Sequence, residues 1–179
     1  MNDFMQYDFN ISKIVLACYV GKRMGTPIHK NRPSHGLAFH TSGLKHYTFE
    51  SGERITVKPD EMIYLPKYSD YEVSFVTEGD CFAINFDISE DITFSPFKVN
   101  LKNTSAVLER FKRAENIWNK KSPGYILQCK AELYGIIYAM VKGYYSQYIP
   151  NEKYIIIKPA VEYIHRAYTE GLVNISELS

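Results

Sequence analysis

Hydrophobic and polar positions follow two different periods along this chain of 179 residues. Between about residues 13 and 99 the apolar positions come in short runs cut by turn residues. "KIVLACYV" (13–20), "ERITV" (53–57), "EMIYLP" (61–66), "YEVSFV" (71–76) and "CFAINFDI" (81–88) each read as a strand. "GLAFHTSGLKHYTF" (36–49) reads as two strands joined through Ser42 and Gly43, a hairpin signal. Glu78, Gly79 and Asp80 make a turn between the last two runs. In 71–75 the period of two sets Tyr71, Val73 and Phe75 on one face, Glu72 and Ser74 on the other. Short strands at this spacing predict a sandwich or barrel.

From about residue 104 the period changes to that of a helix. Over 104–121, Val107, Phe111, Ala114 and Trp118 recur at steps of three and four; over 126–148, Leu133, Ile137, Met140, Val141, Tyr144 and Tyr148 form a broader stripe. Pro123 and Gly124 separate the two, which predicts an antiparallel helical hairpin. Tyr134, Ile136 and Tyr138 widen the second stripe beyond what one sheet covers, so Phe111, Trp118, Leu133, Ile137, Met140 and Tyr144 are the candidates for a dimer face. The same residues also fit a helix that packs on the sheet alone. A third helix starts near Pro159, carries Val161, Ile164, Ala167 and Tyr168 on one side, and stops near Gly171. "IPNEKY" (149–154) is the linker. A run of strands followed by helices predicts an α+β chain with three regions: a barrel over 1–100, the hairpin over 101–150, and a linker with the start of another domain over 151–179.

Composition narrows the function classes. Twenty-one Lys and Arg against twenty Asp and Glu leave a net charge of +1, which gives no general field for nucleic acid or an anionic membrane. The start lacks a basic leader pattern and no run approaches the length of a membrane span, so a cytoplasmic protein is expected. Cys18, Cys81 and Cys129 are odd in number and far apart, and are expected as reduced thiols. There is no phosphate loop, nucleophile elbow or H-E-x-x-H, and the carboxylates are scattered, so no catalytic residue and no cofactor are expected.

The most specific stretch of the β region is "ITVKPDEMIYLPKYSDYEV" (55–73), which resembles the second motif of the cupin superfamily of small β-barrels. In that register Asp60 takes the first glycine place, Pro66 matches, Tyr68 takes the second glycine, Tyr71 the metal-binding histidine and Phe75 the asparagine. The first motif, laid back from Gly43, puts His29 and Asn31 at the two histidines and Gly36 at the glutamate. One possible ligand of four remains, too few for a 3d metal, so the resemblance implies a barrel that keeps a cavity without its metal. Inward candidates for a small ligand are His29, Asn31, Tyr71 and Phe75, with Arg32 offering a donor fork for a carboxylate, phosphate or vicinal hydroxyls. Each of these also reads as ordinary packing or a solvated charge.

A degenerate cupin, a helical hairpin and "KPAVEYIHRAYTEGLVNISELS" (158–179) together resemble the AraC-type bacterial transcription regulators. The resemblance implies a cupin that senses a sugar-like effector, a hairpin that makes a homodimer, and a helix-turn-helix domain that binds DNA. Pro159 to Ile164 followed by Ile175 to Leu178 looks like the opening of that last domain, and Asn174 with Glu177 has capping-box spacing. Both recognition helices would lie beyond Ser179, so DNA contact is expected only through that further domain. The alternatives are a cupin-type sugar isomerase or epimerase, using His29 with Tyr71, and a free-standing ligand-binding protein.

Overall fold

The computed structural model describes residues 2–23, 25–101, 103–148, 157–161, 163–164 and 166–167. After a short helix α1 (Asn2–Gln6) come β1 (Ile11–Arg23), β2 (Ile28–His29), β3 (His35–His40), β4 (Leu44–Phe49), β5 (Arg54–Val57), β6 (Glu61–Leu65), β7 (Tyr71–Thr77), β8 (Gly79–Ile88) and β9 (Phe97–Asn100). Helices α2 (Thr104–Lys120) and α3 (Tyr125–Tyr148) follow. Two compact units divide the chain, 1–141 and 142–179. In the second unit residues 157–161, 163, 164, 166 and 167 are helical. The expected linker at 149–154, the stop at Gly171 and the capping box at 174–177 lie outside the described residues.

The strands form two antiparallel sheets, one in the order β1-β8-β3-β6-β9 and one in the order β2-β7-β4-β5. The first of eight strands pairs with the eighth, the second with the seventh, the third with the sixth and the fourth with the fifth. That is one long hairpin rolled into two facing sheets, a jelly roll, the architecture that cupin domains share. Burial follows the period of two where one face is wet: Tyr71 and Val73 point in, Glu72 and Ser74 do not, as the sequence pattern says. Strand β3 is buried at all six positions, because both faces of its sheet are covered.

The Ser42–Gly43 hairpin does not form. Strands β3 and β4 belong to different sheets, and the dipeptide is a corner that crosses from one to the other. A Cβ on Gly43 would stand 2.6 Å from the Glu78 oxygen, and one on Gly79 would stand 2.1 Å from the Ser42 oxygen. The two corners therefore meet backbone to backbone, which only glycine allows. Asp80 locks the crossing by accepting hydrogen bonds from the hydroxyls of Thr41, of Ser42 at 2.6 Å and of Tyr19 at 2.6 Å. These bonds, Ser42's first, hold its carboxyl well below the usual carboxylate range.

The two motif glycine places, Asp60 and Tyr68, have φ of 63° and 65°. Both places therefore take the left-handed backbone conformation that glycine adopts most easily.

Helix α2 starts at Asn103, whose side chain accepts from the Ala106 amide, and ends at Lys121 in the left-handed conformation. It buries Val107, Phe111 and Ala114 and lies against β1 and β8. Arg110 and Arg113 both reach Glu132 on α3, and the Cys129 thiol donates to the Ala114 carbonyl, so these contacts run in opposite directions along the two helices. Phe111, Leu133, Ile137 and Met140, read as dimer-face candidates, are 0–5% exposed within the chain. They belong to its core, since burial inside the protomer already removes their apolar area from water. Trp118 is half-buried with its ring edge-on to Tyr125, and Tyr144 is half-buried. Among the described residues the exposed large apolar side chains of α3 are instead Leu127, Tyr134, Tyr138 and Tyr145. No helix among the described residues is long and apolar enough to cross a membrane. None of the three cysteines forms a disulfide, and Cys81 and Cys129 are buried.

Candidate functional site

Opposed residues in an antiparallel ladder share a face, so the strand register identifies what lines the barrel interior. Gly36 stands opposite Leu65 and Asn85, Ala38 opposite Ile63 and Ala83, and His40 opposite Cys81. In the facing sheet Lys45, Tyr47 and Phe49 stand opposite Phe75, Val73 and Tyr71. Tyr47, Phe49, Val57, Ile63, Tyr71 and Val73 pack together with Ala38 in this interior.

Arg32 enters one end of it. Its backbone is tied down by Arg32 N to Ser69 O at 3.2 Å and Tyr68 N to Arg32 O at 2.7 Å, so the loop after β2 is laced to the turn before β7. The guanidinium donates from Nη1 to the Tyr71 hydroxyl at 2.7 Å and from Nη2 to Asn85 Oδ1 at 2.6 Å. It lies directly on the Gly36 backbone, where an added Cβ would be 2.3 Å from Nη2. Arg32 Nε is buried and has no hydrogen-bond partner among the described residues. Burial raises the Tyr71 pKa, opposed by the Arg32 charge, so the hydroxyl stays protonated at neutral pH. The His29 ring stacks on Tyr71 with 4.6 Å between centroids, and its pKa is lowered by desolvation and then by Arg32. Arg32, Tyr71 and Asn85 thus form one cluster inside the barrel, and His29, expected to point inward, is exposed on β2 and stacks at its edge.

Asn31 does not join it. With φ of 44° it turns outward, and its amide donates to Asp70 Oδ1 at 2.6 Å. Phe75 lies at the far end of the interior, half-buried, with the Lys45 ammonium 5.0 Å from its ring centre. Gly36, expected only as a lost metal ligand, is the floor under the guanidinium. Asn85 was not singled out by sequence. The alternation of "CFAINFDI" puts it on one face with Cys81 and Ala83, but nothing in the strand says which face is inside. Among the described residues no three His, Cys, Asp or Glu side chains come together to hold a metal ion.

A cleft of about 260 Å³ opens outside this cluster, with Tyr71 and Phe49 in its wall and Lys30 and Asp70 at its rim. Lys30 pairs with Asp70 at 2.9 Å. Neither Arg32 nor Lys45 pairs with a carboxylate among the described residues; Asp87, near the same end, lies 3.9 Å from Lys67 Nζ, and its buried Oδ1 accepts no hydrogen bond among the described residues. The cluster therefore offers donors and aromatic surface: a guanidinium, a phenol hydroxyl, a side-chain amide and a stacked imidazole. This chemistry suits a small polar or anionic ligand.

No protein-family model matches the chain, and no curated protein matches it. Solved structures with partial likeness include protein NMB1881 from Neisseria meningitidis, 20% identical, TM-score 0.37, covering 42% of this chain and 82% of that one. A cupin-2 domain containing protein from Shewanella frigidimarina is 18% identical, TM-score 0.34, over 46% of this chain and 87% of that one. Unsaturated fatty acid-bound ToxT from Vibrio cholerae is 10% identical, TM-score 0.35, over 47% of this chain and 32% of that one. Each alignment spans less than half of this chain, and the jelly-roll assignment rests on the strand order itself.

Proposed function

We propose that this chain is the effector-sensing and dimerisation region of an AraC-type transcription regulator, and that its barrel binds a small sugar-like molecule or a related acid. The observation that carries the ligand reading is the Arg32 guanidinium, drawn inside the barrel over Gly36, held by Tyr71 and Asn85, and left with an orphaned Nε. A buried donor without an acceptor is costly, and a ligand oxygen at the mouth removes that cost. His29 on Tyr71 supplies a flat surface for a ring or a planar group. In this reading the chain assigns no catalytic residue. Two copies associate through the exposed stripe of α3, Leu127, Tyr134 and Tyr138, and ligand binding biases how two DNA-binding domains are placed.

A thermal-shift screen of monosaccharides, disaccharides and sugar acids tests the ligand reading. A concentration-dependent rise is expected for the bound class, and Arg32→Ala abolishes it while leaving a cooperative melt. An unchanged rise in Arg32→Ala removes Arg32 from the site. Sedimentation at tens of micromolar tests the dimer: a strict monomer refutes the α3 interface. Codons beyond Ser179 that encode two helix-turn-helix patterns support the regulator reading, and a stop codon there defeats it.

A further inference from the structure

The opposite end of the barrel interior carries a second polar group that the Arg32 cluster does not use. Lys45 stands four residues from Phe49 along β4, and His40 four residues from Gly36 along β3, so this end lies roughly 13 Å from Arg32 along the strands. Lys45 is 2% exposed and His40 is 0% exposed. Lys45 makes no ion pair among the described residues; its ammonium lies 5.0 Å from the Phe75 ring centre, and Cys81 and Asp80 act on it electrostatically. The carboxylate near this end, Asp80, is already taken by the hydroxyls of Thr41, Ser42 and Tyr19.

His40 is equally unfinished. Its Nε2 meets the Tyr47 hydroxyl at 3.1 Å, while its buried Nδ1 has no hydrogen-bond partner among the described residues. In the tautomer in which Tyr47 donates to Nε2, Nδ1 carries the ring hydrogen and is a donor. The ammonium is also a donor only. It is near enough to His40 that its charge, after desolvation, lowers the ring's pKa to about 3. A buried ring nitrogen without a partner, beside an ammonium that pairs with no carboxylate among the described residues, is a mismatch that an added oxygen would relieve. Between this end and Arg32 the wall is apolar, with Ala38, Val73 and Ala83.

We infer that the Lys45 end of the barrel binds the acidic group of a small organic anion, an oxyanion seated between the Lys45 ammonium and the His40 ring. This deepens the ligand reading given above and rests on the barrel interior taking a small molecule. A carboxylate and a phosphate ester share the required chemistry, and Ala38, Val73 and Ala83 give the carbon body of either an apolar neighbour.

The test uses matched acid and neutral pairs: gluconate against glucose, hexanoate against hexanol, and glycerol 3-phosphate against glycerol. Each is titrated in a thermal-shift experiment on the wild type, Lys45→Met and Lys45→Arg. A carboxylate or the phosphate raises the melting temperature by about 3 °C or more near saturation, and its neutral partner does not. Lys45→Met loses that rise and Lys45→Arg keeps it. Without ligand, Lys45→Met melts no lower than the wild type, because an uncompensated buried charge has been removed. Equal shifts from acid and neutral partners, or a rise retained in Lys45→Met, overturn the anion inference and leave the small-molecule reading standing. A ligand-free Lys45→Met that melts more than about 3 °C lower also overturns it, since the ammonium would then serve packing alone. No shift from any compound overturns both readings together.

Discussion

The two faces of the five-stranded sheet differ in what they bury. The outer face presents Leu37, Phe39, Met62, Tyr64, Ile84 and Phe86, all at or below 1% exposure. Phe111 of α2 stands 6.0 Å from Phe39, and Phe4 of α1 stands 4.7 Å from Tyr64. The inner face of the same strands presents Gly36, Ala38, His40, Cys81, Ala83 and Asn85. Large apolar side chains hold the helices on one side, and small or polar ones face the barrel on the other. The outer face supplies stability through hydrocarbon and ring burial. The inner face gives up part of that gain to keep Arg32, Lys45 and His40 inside, which makes it the side where function is sought.

The largest expected effect falls on the outer face. Phe39→Ala removes a fully buried ring and should cost about 3–5 kcal/mol in chemical denaturation while leaving Arg32 untouched. A loss below about 1 kcal/mol would break the contrast, because the outer face would then not be the stabilising one.

A pH titration of stability compares the faces next, since each carries one buried neutral histidine. Desolvation lowers His35, on the outer face against Tyr64, to about 4, and lowers His40, on the inner face, to about 3. Both rings stay neutral in the folded protein where the unfolded chain takes up a proton, so the unfolded state binds more protons. Stability is therefore full above about pH 6.5 and falls as pH drops towards 4, by up to about 1.4 kcal/mol per pH unit per histidine. Urea midpoints at pH 7, 6 and 5 read this slope, and His35→Gln and His40→Gln should each flatten it by about half. A slope that neither variant changes would show that other groups set the acid sensitivity.

The smallest effect on stability sharpens the inner face. Gly36→Ala pushes a methyl into the guanidinium and should cost about 1–3 kcal/mol. It should also abolish any ligand response that depends on Arg32, whereas Phe39→Ala keeps the response at temperatures where it is folded. Retention of the response in Gly36→Ala would mean that the ligand does not need the guanidinium at this position.

Much of the fold is legible in the chain. The runs at 53–57, 61–66, 71–76 and 81–88 become β5 to β8, and the stripe Val107, Phe111, Ala114 becomes the buried face of α2. Periodicity reports local conformation well because it is set by the backbone's own repeat. Partnership is a different matter: Ser42 and Gly43 carry the local chemistry of a hairpin turn, yet serve an inter-sheet corner. The short helix α1 and the strand β9 gave no periodic signal, since five and four residues are too few to show one. For the site, the resemblance found His29, Arg32 and Tyr71, which the structure brings together, and added Asn31, which turns away. Asn85 and Lys45 were not read as site residues and His40 was read as a surface or core histidine, because an isolated amide, lysine or histidine in a strand looks the same whether it points in or out.

By itself, then, the sequence determined where strands give way to helices and which residues alternate, and it offered Tyr71 and Arg32 as candidates for one site. Only the tertiary structure decided which of two alternating faces is the interior. That choice depends on the rolled pairing of strands far apart in the chain, and on α1 and α2 covering one side of the sheet. A period of two divides a strand into two sets, and packing alone says which set meets water, which meets the helices, and which is enclosed in the barrel.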